Sequence, residues 1–342
     1  MIVPPADIAT AARLLEQGRL VAFPTETVYG LGADAENPAA IARIYAAKGR
    51  PSNHPVIVHL APGADLGYWA SAIPFEAQAL IDAFWPGPLT LILPRAAHIP
   101  AAVAGGQDSV GVRCPSHPVA QALLREFKSG KGGIAAPSAN KFGHVSPTTA
   151  QHVRDEFGVG IGTGTDSAVD MVLDGGQSDV GIESSIVDLT RLATHGPVLL
   201  RPGRVTVAEL AAVLGVMPGA PDAAAPRASG TLQAHYAPLT PVAMVASAEL
   251  LPRLQQLLHA GRRVALMHWS DTDPQGVLFA LRLPASPAGF AHALYAGLRE
   301  LDAVAADLIL VESPPKNAPW QAVHDRLRRA AHDSVGILEH LL

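Results

Sequence analysis

Lys48 and Arg50 flank a single glycine at the end of a segment with helical apolar spacing. The run Lys48-Gly-Arg-Pro-Ser-Asn-His-Pro-Val-Ile-Val-His59 then carries the chain into an apolar stretch that closes on a histidine. Upstream, an apolar strand runs into Pro24-Thr-Glu-Thr-Val-Tyr-Gly-Leu-Gly32. Cations beside hydroxyls and glycines make a poor core and a good cradle for a polyanion next to a small polar substrate. Ile41, Ile44, Tyr45 and Lys48 fall on one helical face, so the inward stripe ends in an ammonium group. That group must reach water or meet an anion. A lysine at a helix C-terminus is favourable in itself, but Arg50 and Pro51 directly after it favour anion binding.

Four other polar clusters belong to the same half of the chain. Thr25 and Thr27 offer hydroxyls where Gly30 and Gly32 allow close backbone approach. Ser109-Val-Gly-Val-Arg113 ends a strand in a guanidinium that needs an acceptor: a substrate carboxylate taken two-pronged, or a structural Asp or Glu. Pro137-Ser138-Ala-Asn140 precedes Ser146-Pro147-Thr148, where Ser146 reads as an N-cap and Pro147 as the first helical residue. Free amides would then lie beside Asn140, ready for phosphate, although ordinary capping also accounts for Ser146. Ser184 begins a strand after Gly181-Ile-Glu183, and Arg201 ends another before Pro202-Gly203. His54 and His59 accompany the first cations, and a lone histidine such as His59 is often a satisfied core residue.

The elements that must position these groups alternate between strand and helix patterns, an α/β signature. Strands are expected over 19–23, 56–60, 89–93, 110–113, 134–136 and 185–189. Helices are expected over 6–17, 38–48, 118–127, 147–157 and 207–214, the last with a capping box of Thr206 and Glu209. Residues 215–240 are rich in Gly, Pro, Ala and Ser and read as an extended linker. A smaller Rossmann-like α/β unit follows over 241–342, with strands near 242–245, 264–268 and 308–311. Helices are expected near 249–259, 288–301 and 320–331. The expected division is thus a catalytic domain over 1–214, a linker and lid over 215–240, and the small domain over 241–342. The glycines between 158 and 164 follow no strand and read as a loop, not a dinucleotide cradle.

Composition narrows the function classes. The chain has 342 residues, 49% hydrophobic and 16% charged, ample for two domains. The net charge of -5 argues against a large basic nucleic-acid surface. Cys114 is the only cysteine, which excludes an intrachain disulfide and a cysteine-based zinc site and fits a reducing cytoplasm. No apolar run is long enough to span a membrane, and the N-terminus does not have the pattern of a signal peptide. There is no Gly-x-Ser-x-Gly elbow, His-Glu-x-x-His or P-loop, so the chemistry rests on orientation and charge neutralisation.

The ordered motifs at 24–32, Lys48-Gly-Arg-Pro, Val110-Gly-Val-Arg-Cys-Pro, Pro137-Ser-Ala-Asn, Ser146-Pro-Thr and Leu200-Arg-Pro-Gly resemble the YrdC family. The likeness covers about residues 5–215. Ser229-Gly-Thr-Leu-Gln-Ala-His235-Tyr236-Ala-Pro238 and the C-terminal unit resemble its long, two-domain form. The resemblance implies a YrdC-like twisted open sheet with flanking helices, and a threonylcarbamoyl-AMP synthase. In that reaction L-threonine and bicarbonate or CO2 give a carbamate that attacks the α-phosphorus of ATP, brought in with Mg2+, and pyrophosphate leaves. A separate transferase complex then passes the acyl group to tRNA. By the same resemblance Thr27, His59, Arg113, Ser138 and Ser184 hold threonine. Lys48, Arg50, His54, Ser109, Asn140, Ser146, Thr148 and Arg201 hold ATP, with Lys48 and Arg50 catalytic. Tyr236 reaches back over the nucleotide. No protein metal ligand is identified. The competing readings are an RNA-binding module and a nucleotide-binding regulator without turnover.

Overall fold

A computed structural model describes residues 3–158, 168–232 and 235–342. The chain divides into two units, Met1–Phe142 with Pro147–Thr231, and Gly143–Ser146 with Leu232–Leu342. Residues 215–231, read from sequence as linker, thus belong to the first unit. Of the glycine-rich loop expected at 158–164, all but Gly158 lies outside the described residues.

The first unit is built on β1 (Val21–Phe23), β2 (Gly30–Asp34), β3 (Ile57–Leu60), β4 (Leu89–Pro94), β5 (Ser109–Arg113), β6 (Gly133–Ala135), β7 (Met171–Val172), β8 (Ser185–Asp188) and β9 (Val198–Arg201). They form one mixed sheet in the order β7-β1-β2-β6-β3-β5-β4-β8-β9. Its helices are α1 (Pro5–Glu16), α2 (Pro38–Lys48), α3 (Leu66–Trp69), α4 (Phe75–Phe84), α5 (Pro118–Glu126), α6 (Ala150–Phe157), α7 (Leu192–His195) and α8 (Val207–Leu214). Among the described residues the apolar faces form several buried clusters, one of them Ile57, Ile92, Ile186, Val198 and Leu200. Another gathers Ile41, Ile44, Val58, Leu91 and Val112, and a third Leu15, Phe23, Leu123 and Phe127.

Local chemistry accounts for the element that carries Lys48. The Asn37 side chain accepts from the amides of Ala39 and Ala40, Pro38 starts the helix, and Gly49 stops it in the left-handed region at φ 61°. The predicted capping box of Thr206 and Glu209 is present at α8. The start of α6 needs correcting. Ser146 and Pro147 do not open it. Thr149 is its N-cap, accepting from the amide of His152, and the helix begins at Ala150. The Pro147 carbonyl instead accepts the Tyr29 amide at 2.9 Å. The phosphate-binding helix end expected at Ser146 is therefore not formed there.

The second unit holds β10 (Val242–Val245), β11 (Val264–His268), β12 (Phe279–Arg282) and β13 (Leu308–Glu312), all parallel in the order β10-β13-β11-β12. Helices α9 (Ser247–His259), α10 (Pro287–Ala303), α11 (Gln321–Ala330) and α12 (Ile337–Leu341) accompany them. β12 was not anticipated; its strand is only partly buried and ends on the exposed Arg282.

One close backbone approach sets the geometry behind Ser184. A Cβ on Gly203 would lie 2.3 Å from the Ser185 amide nitrogen and 2.6 Å from the Ser184 carbonyl carbon. Both neighbours are backbone and cannot swing aside. Gly203→Ala should therefore lower stability by about 1–3 kcal/mol, as overpacking does, read as a shift in the urea midpoint. An unchanged midpoint would mean that β8 and the turn after β9 do not pack as described.

Candidate active site

The carboxyl end of α2 delivers Lys48 into the first unit with its side chain 3% exposed. Its ammonium donates to the Ser138 carbonyl at 2.5 Å and to the Asn140 carbonyl. Two of its three donors are thereby used and one is left for a ligand. Burial, reinforced by the neighbouring Arg50 charge, holds its pKa well below the ordinary lysine value. Lys48, Arg50, Arg113 and Arg201 are each 7% exposed or less. Buried charge of one sign is costly without a counterion.

Arg50 and Arg201 are linked by Ser229, which heads the linker motif but was given no site role from sequence. The Ser229 hydroxyl lies 3.4 and 3.5 Å from the two terminal nitrogens of Arg50, and its carbonyl accepts from Arg201 Nη1 at 2.6 Å. Arg50 also donates to the Pro55 carbonyl. The stretch bearing Ser229 is fastened by Arg227. Its amide donates to Gln107 Oε1 at 2.8 Å, while Gln107 Nε2 donates to its carbonyl at 3.1 Å. The Arg227 guanidinium reaches the Gly105 and Asn53 carbonyls. A Cβ on Gly105 would sit 2.5 Å from the Asn53 carbonyl oxygen, and its φ of +59° also demands glycine.

Arg201 continues the network to Ser184, donating to its carbonyl at 3.0 Å and to its hydroxyl at 3.1 Å. The Ser184 hydroxyl shares a hydrogen bond of 2.8 Å with Thr90 on β4. β4 pairs with β5, Leu91 opposite Val112, which brings Thr90 alongside Arg113. Arg113 donates to the Thr27 hydroxyl at 2.9 Å and to the Gly87 carbonyl at 3.2 Å. Its third nitrogen, Nη2, stands 2.6 Å from Glu26 Oε1. The structural carboxylate considered for Arg113 is thus present.

His59 stands beside Arg113 in the parallel register of β3 and β5. Its ring meets Phe23 edge-on, and Nδ1 is buried without a hydrogen-bond partner. Burial, helped by the Arg113 charge, lowers its pKa to about 3. His59 is therefore a neutral hydrogen-bonding group and does not serve as a cation. His54 is half-buried, faces the Phe142 ring, and has its pKa lowered by burial and then by Arg50 and Arg227. The Asn140 side chain donates to the Lys141 carbonyl. Thr148 is buried against His152. Ser109 opens β5 and is partly buried.

Of the residues expected from sequence, hydrogen bonds, register and charge proximity connect Thr27, Lys48, Arg50, His54, His59, Arg113, Ser138, Asn140, Ser184 and Arg201 within one unit. No such link joins Ser109 or Thr148 directly to the cations. Ser146 and Tyr236 belong to the second unit. There Tyr236 is buried against His235 and Tyr295 with Arg326 over its ring, at a φ of 62° that is rare for a bulky residue. Glu26, Thr90, Gln107, Arg227 and Ser229 were missed as site residues. Glu26 and Ser229 carried a signal, Glu26 from its place between two threonines and Ser229 from heading the segment that resembles the long form. Among the described residues no cluster of three His, Cys, Asp or Glu side chains forms a metal site.

The model of the Sua5/YciO/YrdC family, described as telomere recombination, matches residues 13–203, and that of the threonylcarbamoyl-AMP synthase C-terminal domain matches residues 205–332. The chain belongs to the Sua5/YciO/YrdC family. It is 37% identical to the threonylcarbamoyl-AMP synthase of Pyrococcus abyssi, covering 95% of this chain and 94% of that protein. It is 40% identical to the Bacillus subtilis protein of the same name, covering 95% and 93%. The fold matches a crystal structure of P. abyssi Sua5 complexed with L-threonine at a TM-score of 0.86, with 35% identity and coverage of 97% and 96%. The YrdC-like sheet and the smaller α/β unit expected from sequence are those of this family member.

The buried neutral His59 has a consequence for stability. Its unfolded value is 6.5 and its folded value about 3, so the unfolded chain binds the extra proton between them. The contribution is fully present above pH 6.5 and is lost as pH falls towards 3. His59→Asn should remove a slope of roughly 1.4 kcal/mol per pH unit in that window. Urea midpoints of both proteins across the acid range check this. Parallel curves would contradict a buried neutral imidazole.

Proposed function

We propose that this chain is a threonylcarbamoyl-AMP synthase. It joins L-threonine, bicarbonate or CO2, and ATP to give threonylcarbamoyl-AMP and pyrophosphate, the first step of threonylcarbamoyladenosine formation in tRNA. The observation that carries the reading is the buried set of Lys48, Arg50, Arg113 and Arg201 in a chain of this family.

Lys48, Arg50 and Arg201 are assigned to the triphosphate, with His54, Ser109, Asn140 and Thr148 around the nucleotide. Ser146 and Tyr236 are assigned there on family resemblance alone. Arg113 takes the threonine carboxylate, with Thr27, neutral His59, Ser138 and Ser184 around the rest of the amino acid. The carbamate oxygen attacks the α-phosphorus, and the cations offset charge that builds on the phosphate oxygens as pyrophosphate departs. Lys48 and Arg50 carry that role most directly. Mg2+ accompanying ATP would supply further charge neutralisation at the phosphates, and no side chain is assigned to hold it. The product passes to a tRNA-modifying transferase complex, and the setting is cytoplasmic. Among the described residues no helix is long and apolar enough to cross a membrane.

Pyrophosphate release from ATP, Mg2+ and bicarbonate should require threonine; equal rates without it would reject the synthase. Arg113→Gln should raise the threonine KM about 10- to 100-fold, the value of a charge-assisted hydrogen bond, and change the ATP KM little. Equal effects on both would remove the carboxylate assignment.

Lys48 gives an independent check. Its pKa is lowered in the ligand-free protein, and a triphosphate beside it would raise it. ATP binding in alkaline buffer should therefore take up protons, seen calorimetrically as heats that vary with buffer ionisation enthalpy. Lys48→Met should abolish that uptake. Buffer-independent heats in the unaltered protein would place the triphosphate elsewhere.

A further inference from the structure

Glu26 and Arg113 meet in an unusual way. Glu26 is 4% exposed and Arg113 3%. Glu26 Oε1 and Arg113 Nη2 lie 2.6 Å apart, yet neither atom makes a hydrogen bond of acceptable geometry. The other atoms of both groups are fixed. Glu26 Oε2 accepts the Ser116 amide, and the Glu26 carbonyl accepts the Val180 amide. Arg113 Nε and Nη1 are held by the Gly87 carbonyl and the Thr27 hydroxyl. One acceptor and one donor therefore stand side by side, buried, charged and unsatisfied as hydrogen-bonding atoms. Buried polar atoms of that kind are rare and call for a partner.

An α-amino acid carries the complementary arrangement, an anionic carboxylate and a cationic ammonium on neighbouring carbons. A carboxylate settling on Arg113 brings its ammonium to the atom next to the guanidinium, which is Glu26 Oε1. That ammonium would otherwise lie beside the buried Arg113 guanidinium with no carboxylate to offset it. A carboxylate there offsets the repulsion. We propose that Glu26 receives the ammonium group of the amino-acid substrate, so that the Glu26–Arg113 pair recognises the zwitterion as a unit. This rests on the synthase reading and adds to it the group that selects an amino acid over other small carboxylates.

The test pairs a ligand change with a protein change. 3-Hydroxybutanoate keeps the carboxylate and hydroxyl of threonine and lacks its amine. Calorimetry on the full chain should show threonine binding roughly 10- to 100-fold tighter than 3-hydroxybutanoate. Glu26→Gln should lose most of that preference while binding 3-hydroxybutanoate within a few-fold of the unaltered protein. A variant that weakens both ligands by the same factor would show that Glu26 only braces Arg113, and a variant that keeps the preference would place the ammonium elsewhere. Either result overturns the proposal. Thermal unfolding confirms that the variant folds. Should it not, Glu26→Asp, with its carboxylate drawn back by one methylene, is read by the same criteria. Equal affinity of the unaltered protein for both ligands sinks the idea without any variant. Failure of the synthase reading is seen separately, as pyrophosphate release that ignores threonine.

Discussion

Everything in the first unit answers to one constraint: four cationic side chains share a region nearly closed to water. A fold normally buries charge in pairs, because an unpaired ion loses several kcal/mol of hydration. Here Arg113 is paired with Glu26, and several of the other donors meet neutral acceptors. Lys48 rests on the carbonyls of Ser138 and Asn140, Arg50 on that of Pro55, and Arg201 on those of Ser184 and Ser229. Carbonyl oxygens meet the hydrogen-bonding need without cancelling the charge. An incoming anion would find donors already oriented, so little reorganisation is left for the moment of reaction.

The sheet makes this tolerable. β3, β5, β4 and β8 lie side by side, and their registers place His59 beside Arg113 and Thr90 near both Arg113 and Ser184. Side chains on rigid strands keep their spacing without needing mutual attraction. Ser229 comes from an irregular stretch, and that stretch needs the two-way bonding of Gln107 and Arg227 to hold its place. The turn bearing Gln107 in turn depends on Gly105, where any side chain would meet the Asn53 carbonyl.

How much of this was legible follows from where the information sits. α2 could be read because Asn37, Pro38, the apolar face and Gly49 are local signals that agree with one another. β2 was hidden, since Gly30-Leu-Gly-Ala-Asp has weak strand propensity and every residue is buried, leaving no alternation. Only the tertiary structure explains Gly32, whose missing side chain makes room for Phe23 and Ile134. Ser146-Pro147 imitated a helix start, and a hydrogen bond from Tyr29, far away in sequence, decided otherwise. The cations were visible as residue types, and their gathering was anticipated from motif order. Their partners Glu26, Thr90 and Ser229 were not, because register and loop docking bring them in from distant parts of the chain.

The two most displaced titratable groups set the character of the site. His59, held neutral, offers a hydrogen bond whose strength does not change across physiological pH. Lys48 responds the other way: burial lowers its pKa, and an anion beside it would raise it again. An anion that binds beside Lys48 therefore also strengthens the charge that holds it, and the coupling is reciprocal. For the proposed reaction this places full electrostatic stabilisation after nucleotide entry. The Arg113 end, proposed for the amino acid, already holds a carboxylate partner in Glu26. A site divided in this way would keep a small zwitterion and a polyanion from competing for the same cation, which an undivided cluster of arginines would not do.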